Sequence, residues 1–331
     1  MSKYHLYGIG NALVDMEFEL SFEQLEALNI DKGHMTLIDQ EQHDELYSAL
    51  SDLPTKRSCG GSAANTVIAL AQFGGNSYYS CKVADDETGD FYLADMTATG
   101  VDTNLSQQTR ESGITGKCVV MTTPDTDRSM NTFLGITADI GPGELDATAI
   151  SESMFYYMEG YLVASPTGQA AAIEGRRIAE ATGVKTVLTL SDPNMVNFFH
   201  EGLMAMAGDN LDLLFCNREE ALDFTKSDTL EAAMEKLCKL SKAVVITDGF
   251  SGSTCFDGNE LHHIAAVSAH AVDSNGAGDM YAGAFLYGLS HGMDYPTAGA
   301  LASLCAAKLV SQFGPRLRPE QTRELLQEFT S

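Results

Sequence analysis

Positive charge is scarce in this sequence: 20 lysines and arginines stand against 46 aspartates and glutamates, a formal net charge of −26. A surface this acidic repels phosphate backbones and anionic headgroups, which argues against nucleic-acid and membrane-surface roles. Solubility, or adaptation to a salty or cold habitat, accounts for such acidity without any partner. Proline is sparse too, with 8 in 331 residues, and no proline-rich, serine-rich or charged linker marks a boundary. One domain over residues 1–331 is therefore expected, and 44% hydrophobic content suffices for a large core. Nothing approaches the ~20 uninterrupted apolar residues of a membrane span. Met1–Val14 lacks a basic leader and is broken by two glycines, so cytoplasmic residence is the expectation. Cys59, Cys81, Cys118, Cys216, Cys238, Cys255 and Cys305 form no C-x-x-C pair; scattered this way they read as reduced packing residues. The histidines lack metal-ligand spacing, and His262-His263 reads as surface. Neither a Walker G-x-x-x-x-G-K-[ST] nor a G-x-G-x-x-G after the first strand occurs, which removes two common phosphate binders.

What the chain does have is a βα rhythm. Lys185–Leu190, Leu211–Cys216 and Lys242–Thr247 predict short buried strands, and Met195–Met206, Glu219–Phe224 and Thr229–Leu240 predict helices. Such repetition implies a parallel sheet covered by helices on both faces, with right-handed crossovers. In the first half Tyr4–Gly10 and Asn76–Val83 read as strands, Ala63–Phe73 and Thr88–Thr99 as helices. Leu13–Leu20, Met35–Ile38, Lys117–Thr122 and Ser129–Leu134 alternate with period two and break that rhythm. They are expected to form a small antiparallel sheet, a lid built from about 11–39 and 112–136. The tail reads as a helix over Thr297–Gln312, a Gly314-Pro315 break and a last helix from about Pro319.

The strongest local signal is Ala271–Phe285, AVDSNGAGDMYAGAF. A strand-like run, Ile264–Val272, is expected to enter a glycine-rich turn, with a helix opening at Asp279. Gly276, Ala277 and Gly278 would let the backbone approach an anion, and the helix end adds roughly half a positive charge. This is the local positive potential an acidic protein needs. Asp279 would lie beside the phosphate, placed to accept a hydroxyl proton; a plain helix cap is the other reading. Cys59–Thr66, CGGSAANT, is a second such element, with Gly60 and Gly61 for close approach and Asn65 for a polyol. In Gly10–Asp15, GNALVD, Asp15 either accepts a cis-diol or caps a turn. Asn217–Glu220, NREE, follows a strand, so Asn217 and Glu220 could hold a hydrated Mg²⁺ or form an ordinary N-cap.

In the order GNALVD, CGGSAANT, NREE, TDG (Thr247–Gly249) and DSNGAGD, these motifs resemble the ribokinase-like (PfkB) carbohydrate and nucleoside kinases from about Tyr4 to Gly314. The resemblance implies a ribokinase-like three-layer α/β fold, with a mostly parallel central sheet, flanking helices and a small β-sheet lid. It implies Asp279 as base, Gly276, Ala277 and Gly278 as anion hole, and Asn11, Leu13, Asp15, Gly60, Gly61 and Asn65 as substrate-binding. Asn217 and Glu220 would organise Mg²⁺, through water, and phosphate, while Thr247 and Gly249 would line the ATP site. Ser274 replaces the family's threonine and keeps its hydroxyl. Within the family the likeness runs to adenosine kinases, through GNALVD, D-x-NGAGD, TGKCVV (Thr115–Val120), DRSM (Asp127–Met130) and LSDPNMVNFF (Leu190–Phe199). That likeness implies purine stacking on Tyr161 and an Arg128 that reaches over the transferring phosphate. The implied activity is ATP-dependent phosphorylation of the adenosine 5′-hydroxyl, for purine salvage. A sugar, another nucleoside such as inosine, and a non-catalytic nucleoside-binding role stay as alternatives, and so does a monovalent-cation requirement. The expected partner is a small molecule, with no nucleic acid or membrane, in a monomer or homodimer.

Overall fold

The computed structural model describes every residue except Met1, His34, Gln107, Thr126 and Asp127. Asp127, expected in the lid, thus lies outside the described residues. Strand β1 (Tyr4–Ile9) leads into β2 (Leu13–Glu19), and helices α1 (Phe22–Ala27) and α2 (Gln40–Leu50) bracket β3 (Met35–Leu37). Next come β4 (Lys56–Gly60), α3 (Ser62–Gln72), β5 (Ser77–Ser80), α4 (Glu87–Thr99) and β6 (Asp102–Thr103). β7 (Gly116–Thr122) and β8 (Arg128–Phe133) follow. The second half alternates through α5 (Ala147–Ser151), β9 (Ser153–Glu159), α6 (Pro166–Thr182), β10 (Lys185–Thr189) and α7 (Pro193–Ala207). It continues with β11 (Leu213–Asn217), α8 (Arg218–Thr225), α9 (Leu230–Leu237) and β12 (Val244–Thr247). A hairpin, β13 (Ser253–Phe256) and β14 (Leu261–Ile264), precedes α10 (Ala277–Ser290), α11 (Tyr295–Val310) and α12 (Pro319–Thr330).

The large sheet has the order β14-β13-β12-β11-β10-β9-β1-β5-β6, parallel from β12 to β6 with an antiparallel hairpin at one edge. Both faces are apolar, as a parallel sheet requires. Phe155, Tyr157, Val187 and Phe215 join the core of α3, α10 and α11, while Tyr156, Met158, Leu188 and Leu214 pack with α6 to α9. Each fully buried side chain of that size contributes about 1.5–3 kcal/mol relative to exposure. α3 and α10 touch almost backbone to backbone. A Cβ on Gly283 would come within 2.6 Å of the Ala69 Cβ and 2.7 Å of the Thr66 carbonyl. Glycine there lets the two helices run side by side, with both N-termini at the same end of the sheet.

The second sheet, β3-β8-β7-β2-β4, corrects one expectation: it is mixed, not antiparallel. β2 pairs β7 in parallel, as β3 does β8, and only β7–β8 and β2–β4 are antiparallel. It also recruits Lys56–Gly60, outside both segments assigned to the lid. Met16, Phe18, Val119 and Met121 pack on Leu25, Leu46 and Leu50 of α1 and α2; the alternate residues Leu13, Asp15 and Cys118 face a cleft above the large sheet.

Two further expectations change. Only Ile264 of the run Ile264–Val272 lies in a strand; instead Val272 and Asp273 donate to the Val310 carbonyl at 2.7 and 3.1 Å. The following helix opens at Ala277, which puts Asp279 at its third position. All seven cysteines are free thiols, and only Cys238 is not fully buried. His262 and His263 lie on edge strand β14, where His262 bonds to Asp257 at 2.9 Å. Among the described residues no helix is long and apolar enough to cross a membrane.

Candidate active site

The parallel strands end at one side of the large sheet, which is where open α/β sheets bind ligands. There Asn11, Glu159, Thr189, Asn217 and Thr247, at or just beyond the ends of β1, β9, β10, β11 and β12, line a cleft of about 400 Å³. Leu13, Asp15, Leu37 and Met130 of the second sheet close it from the other side, and the N-termini of α3 and α10 supply its base.

α10 begins with Gly276 at φ +73°, and no side chain caps it. A Cβ on Gly276 would meet the Pro315 carbonyl at 2.4 Å, whereas one on Gly278 would meet nothing within 4 Å. The turn is therefore packed behind and open in front; the Ala277 N–H donates to the Ser274 carbonyl at 3.2 Å, and the other first-turn N–H groups of α10 lie at its mouth. Asp279 is held from both sides. Ser62 Oγ donates to Oδ1 at 2.6 Å and Asn65 Nδ2 to Oδ2 at 3.0 Å. Burial outweighs the pull of those two bonds and of the Arg316 charge, and the carboxyl is left raised to about 6.

Three more carboxyls share the cleft: Asp15, Glu159 and Glu220. Burial raises each to about 7. For Asp15 that value already includes an added push from Glu17 and the opposing pull of Arg316 and Arg128. Glu159 accepts the N–H of Asn11 and of Ala63, both at 2.8 Å. Glu220 and Asn217 form a reciprocal capping box: Glu220 accepts Asn217 Nδ2 at 2.7 Å and its N–H at 3.0 Å, and Asn217 Oδ1 accepts the Glu220 N–H at 2.8 Å. No lysine, arginine or histidine is among the described residues of the cleft wall. Four carboxyls and no cationic side chain make a pocket where polyphosphate needs an accompanying cation.

Of the residues picked out in the sequence, Asn11, Leu13, Asp15, Gly61, Asn65, Tyr161, Asn217, Glu220, Thr247, Gly276, Ala277, Gly278 and Asp279 meet in this cleft. Three do not line it. Gly60 stands behind Asp15, where a Cβ would lie 2.6 Å from its Oδ2. Gly249 lines an adjoining shallow groove with Phe250, which shares Asn217 and Thr247 with the cleft. Arg128 donates to Asp273 Oδ2 at 2.5 Å, the oxygen that also accepts the Gly314 N–H at 2.8 Å. Tyr161, in the 3₁₀ turn after β9, is partly buried against the α6–α9 core.

Ser62, Glu159, Ser191 and Arg316 were not picked out. Ser191 adopts φ +72°, rare for a residue with a side chain, and its Oγ accepts the Gly160 N–H at 2.8 Å. Ser62 and Ser191 lie inside the quoted motifs CGGSAANT and LSDPNMVNFF, and Glu159 lies outside all of them; Arg316 had one signal, an arginine directly after Gly314-Pro315 in a chain poor in arginine.

Residues 35–323 match the family described as pfkB family carbohydrate kinase. The crystal structure of adenosine kinase from Sinorhizobium meliloti is 33% identical, with a TM-score of 0.89 and 99% of each chain covered. Adenosine kinase from Saccharomyces cerevisiae is 27% identical over 336 residues, 95% of this chain and 96% of its own. 5-Dehydro-2-deoxygluconokinase from Shouchella clausii is 28% identical over 266 residues, 76% of this chain and 80% of its own. The fold, the glycine-rich turn and these matches agree: the chain belongs to the pfkB family of carbohydrate kinases, phosphotransferases that act on an alcohol group.

Proposed function

We propose that the protein is a cytoplasmic adenosine kinase that transfers the γ-phosphoryl group of ATP to the adenosine 5′-hydroxyl and serves purine salvage. One observation carries the reading: a half-buried aspartate at an uncapped helix N-terminus shares a cleft with Asp15 and Tyr161. In this account Asp15 accepts the ribose diol and Tyr161 stacks on the purine. Asp279 takes the 5′-hydroxyl proton as that oxygen attacks the γ-phosphorus and ADP leaves. The N–H groups of Gly276–Gly278 stabilise charge on the phosphoryl oxygens. Asn65 serves through Asp279, since its amide is bonded there. Arg128, on Asp273 of the same turn, brings a positive charge from the second sheet to the rim.

Magnesium fits the acidic cleft as a hydrated ion. Both Glu220 oxygens accept from Asn217 and retain lone pairs for metal-bound water, so Asn217 and Glu220 would hold it indirectly. Among the described residues no cluster of three or more His, Cys, Asp or Glu side chains could bind a metal directly. When bound, the ion neutralises phosphate charge that this cleft wall has no basic side chain to meet.

A sugar acceptor is the second reading, favoured by the likeness to a 5-dehydro-2-deoxygluconokinase. ADP release from Mg²⁺-ATP, with adenosine, inosine, ribose, fructose 6-phosphate and 5-dehydro-2-deoxygluconate offered separately, distinguishes them. Adenosine-selective turnover is expected. Preference for a sugar would discard the purine pocket, and silence with all five would point to a binding protein.

A further inference from the structure

Asn65 offers its two ends to different partners. Arg316 Nε donates to Asn65 Oδ1 at 2.8 Å, and Asn65 Nδ2 donates to Asp279 Oδ2 at 3.0 Å. A guanidinium only donates, so it holds the amide oxygen toward itself and turns the NH₂ group to the carboxylate. With the amide reversed, two oxygens would face one another across that contact and Asp279 would lose a donor. Arg316 is pinned in turn: its second nitrogen donates to Asp95 Oδ2 on α4 at 2.6 Å. Its backbone is held as well, because Gly314 N–H bonds Asp273 and Pro315 packs behind Gly276. One short turn after α11 thus braces the glycine-rich loop and, through Asn65, the aspartate in it.

We propose that Arg316 is a positioning residue for phosphoryl transfer: it locks the Asn65 amide so that Asp279 keeps one orientation toward the acceptor hydroxyl. The inference rests on reading Asp279 as the base. Asp15 of β2, Tyr157 and Glu159 of β9, and Tyr161 are the titratable groups facing Asp279. Arg316 is the cation that acts on Asp279 and it acts on Asp15 too, whereas Arg128 acts on Asp15 and not on Asp279. Removing the Arg316 charge therefore leaves burial less opposed and makes Asp279 harder to ionise.

The test compares wild type, Arg316→Gln, Arg316→Lys and Asp279→Asn in kcat and in the pH profile of kcat/KM. It uses Mg²⁺-ATP with adenosine, or with the sugar that turns over in its place. Arg316→Gln is expected to lower kcat roughly 10- to 100-fold and to move the acidic limb to higher pH. Arg316→Lys keeps the charge and the limb but cannot reach both Asn65 and Asp95, so its kcat falls less. Wild-type kcat in Arg316→Gln overturns the proposal. So does a lowered kcat with an unmoved limb, which marks a merely structural contact. If Arg316→Gln does not fold, Arg316→Lys decides: reduced kcat with an unchanged acceptor KM and thermal midpoint supports the proposal, and wild-type kcat, or a kcat loss that comes with a lowered midpoint, overturns it. Near-normal turnover in Asp279→Asn would sink the base reading itself. An inactive Asp279→Asn beside an unaffected Arg316→Gln would sink only the role of Arg316.

Discussion

Asp279 is caught between two opposing effects. Burial outweighs the downward pull of Ser62, Asn65 and Arg316 and leaves its carboxyl at about 6. A base must be deprotonated to accept a proton, so the group is ready at neutral pH and disabled as pH falls through that value. The expected kcat/KM profile loses about tenfold per pH unit on the acidic side. A profile flat from neutrality down to about pH 5 would count against Asp279 as the ionising group. At this scale the sequence reading located most of the cleft-lining residues but not their supports. Asp279 and its helix end were legible because glycine-rich turns before helices are local. Ser62, Glu159 and Arg316 act on partners 217, 96 to 148 and 251 residues away, and no spacing rule reaches that far. Nor does a motif distinguish a glycine that faces the cleft from one that makes room behind it, which is why Gly60 was grouped with Gly61.

Among the elements, β9 binds the site together. Its last residue, Glu159, accepts N–H groups from the turn after β1 and from the first turn of α3. Gly61, the N-cap of α3, has no side chain to do this. Glu159→Gln would turn an NH₂ toward one of those buried donors and leave it unsatisfied, a cost of about 1–3 kcal/mol. A lowered thermal midpoint and a raised acceptor KM are expected, measured by calorimetry and steady-state kinetics; wild-type values for both would contradict this role. Yet β9 and α6 are among the elements that the sequence did not suggest, as are α1, α2, α5, β6 and β13. Ser153–Glu159 mixes serine, tyrosine, methionine and glutamate because both its faces are buried, and alternation vanishes when neither face meets water. α6 packs through Gly175, Ala171, Ala172 and Ala179, where a Cβ on Gly175 would collide with Tyr156. Contacts between small residues leave little hydrophobic signal. The mixed second sheet was hidden for another reason: period two shows that a segment is a strand, while direction follows from its connections.

At the scale of the molecule, a chain of net charge −26 belongs to a family that handles phosphate. It reconciles the two by drawing the anion-facing positive potential of its cleft wall from backbone rather than from basic side chains, with Arg316 and Arg128 held just outside. α3 and α10 lie close enough to aim both N-termini into the cleft, and the second sheet, assembled from three separate stretches of chain, covers it. The rhythm of short strands and helices predicted this layering in the second half, and the period-two segments predicted a separate sheet. The central claim is that this arrangement exists to let one aspartate deprotonate an acceptor. Acceptor-dependent ADP release by Asp279→Asn, beside wild type and with adenosine binding checked by calorimetry, tests it most directly. The account predicts a kcat lower by roughly 10²–10⁴-fold with binding retained; near-normal turnover would contradict it.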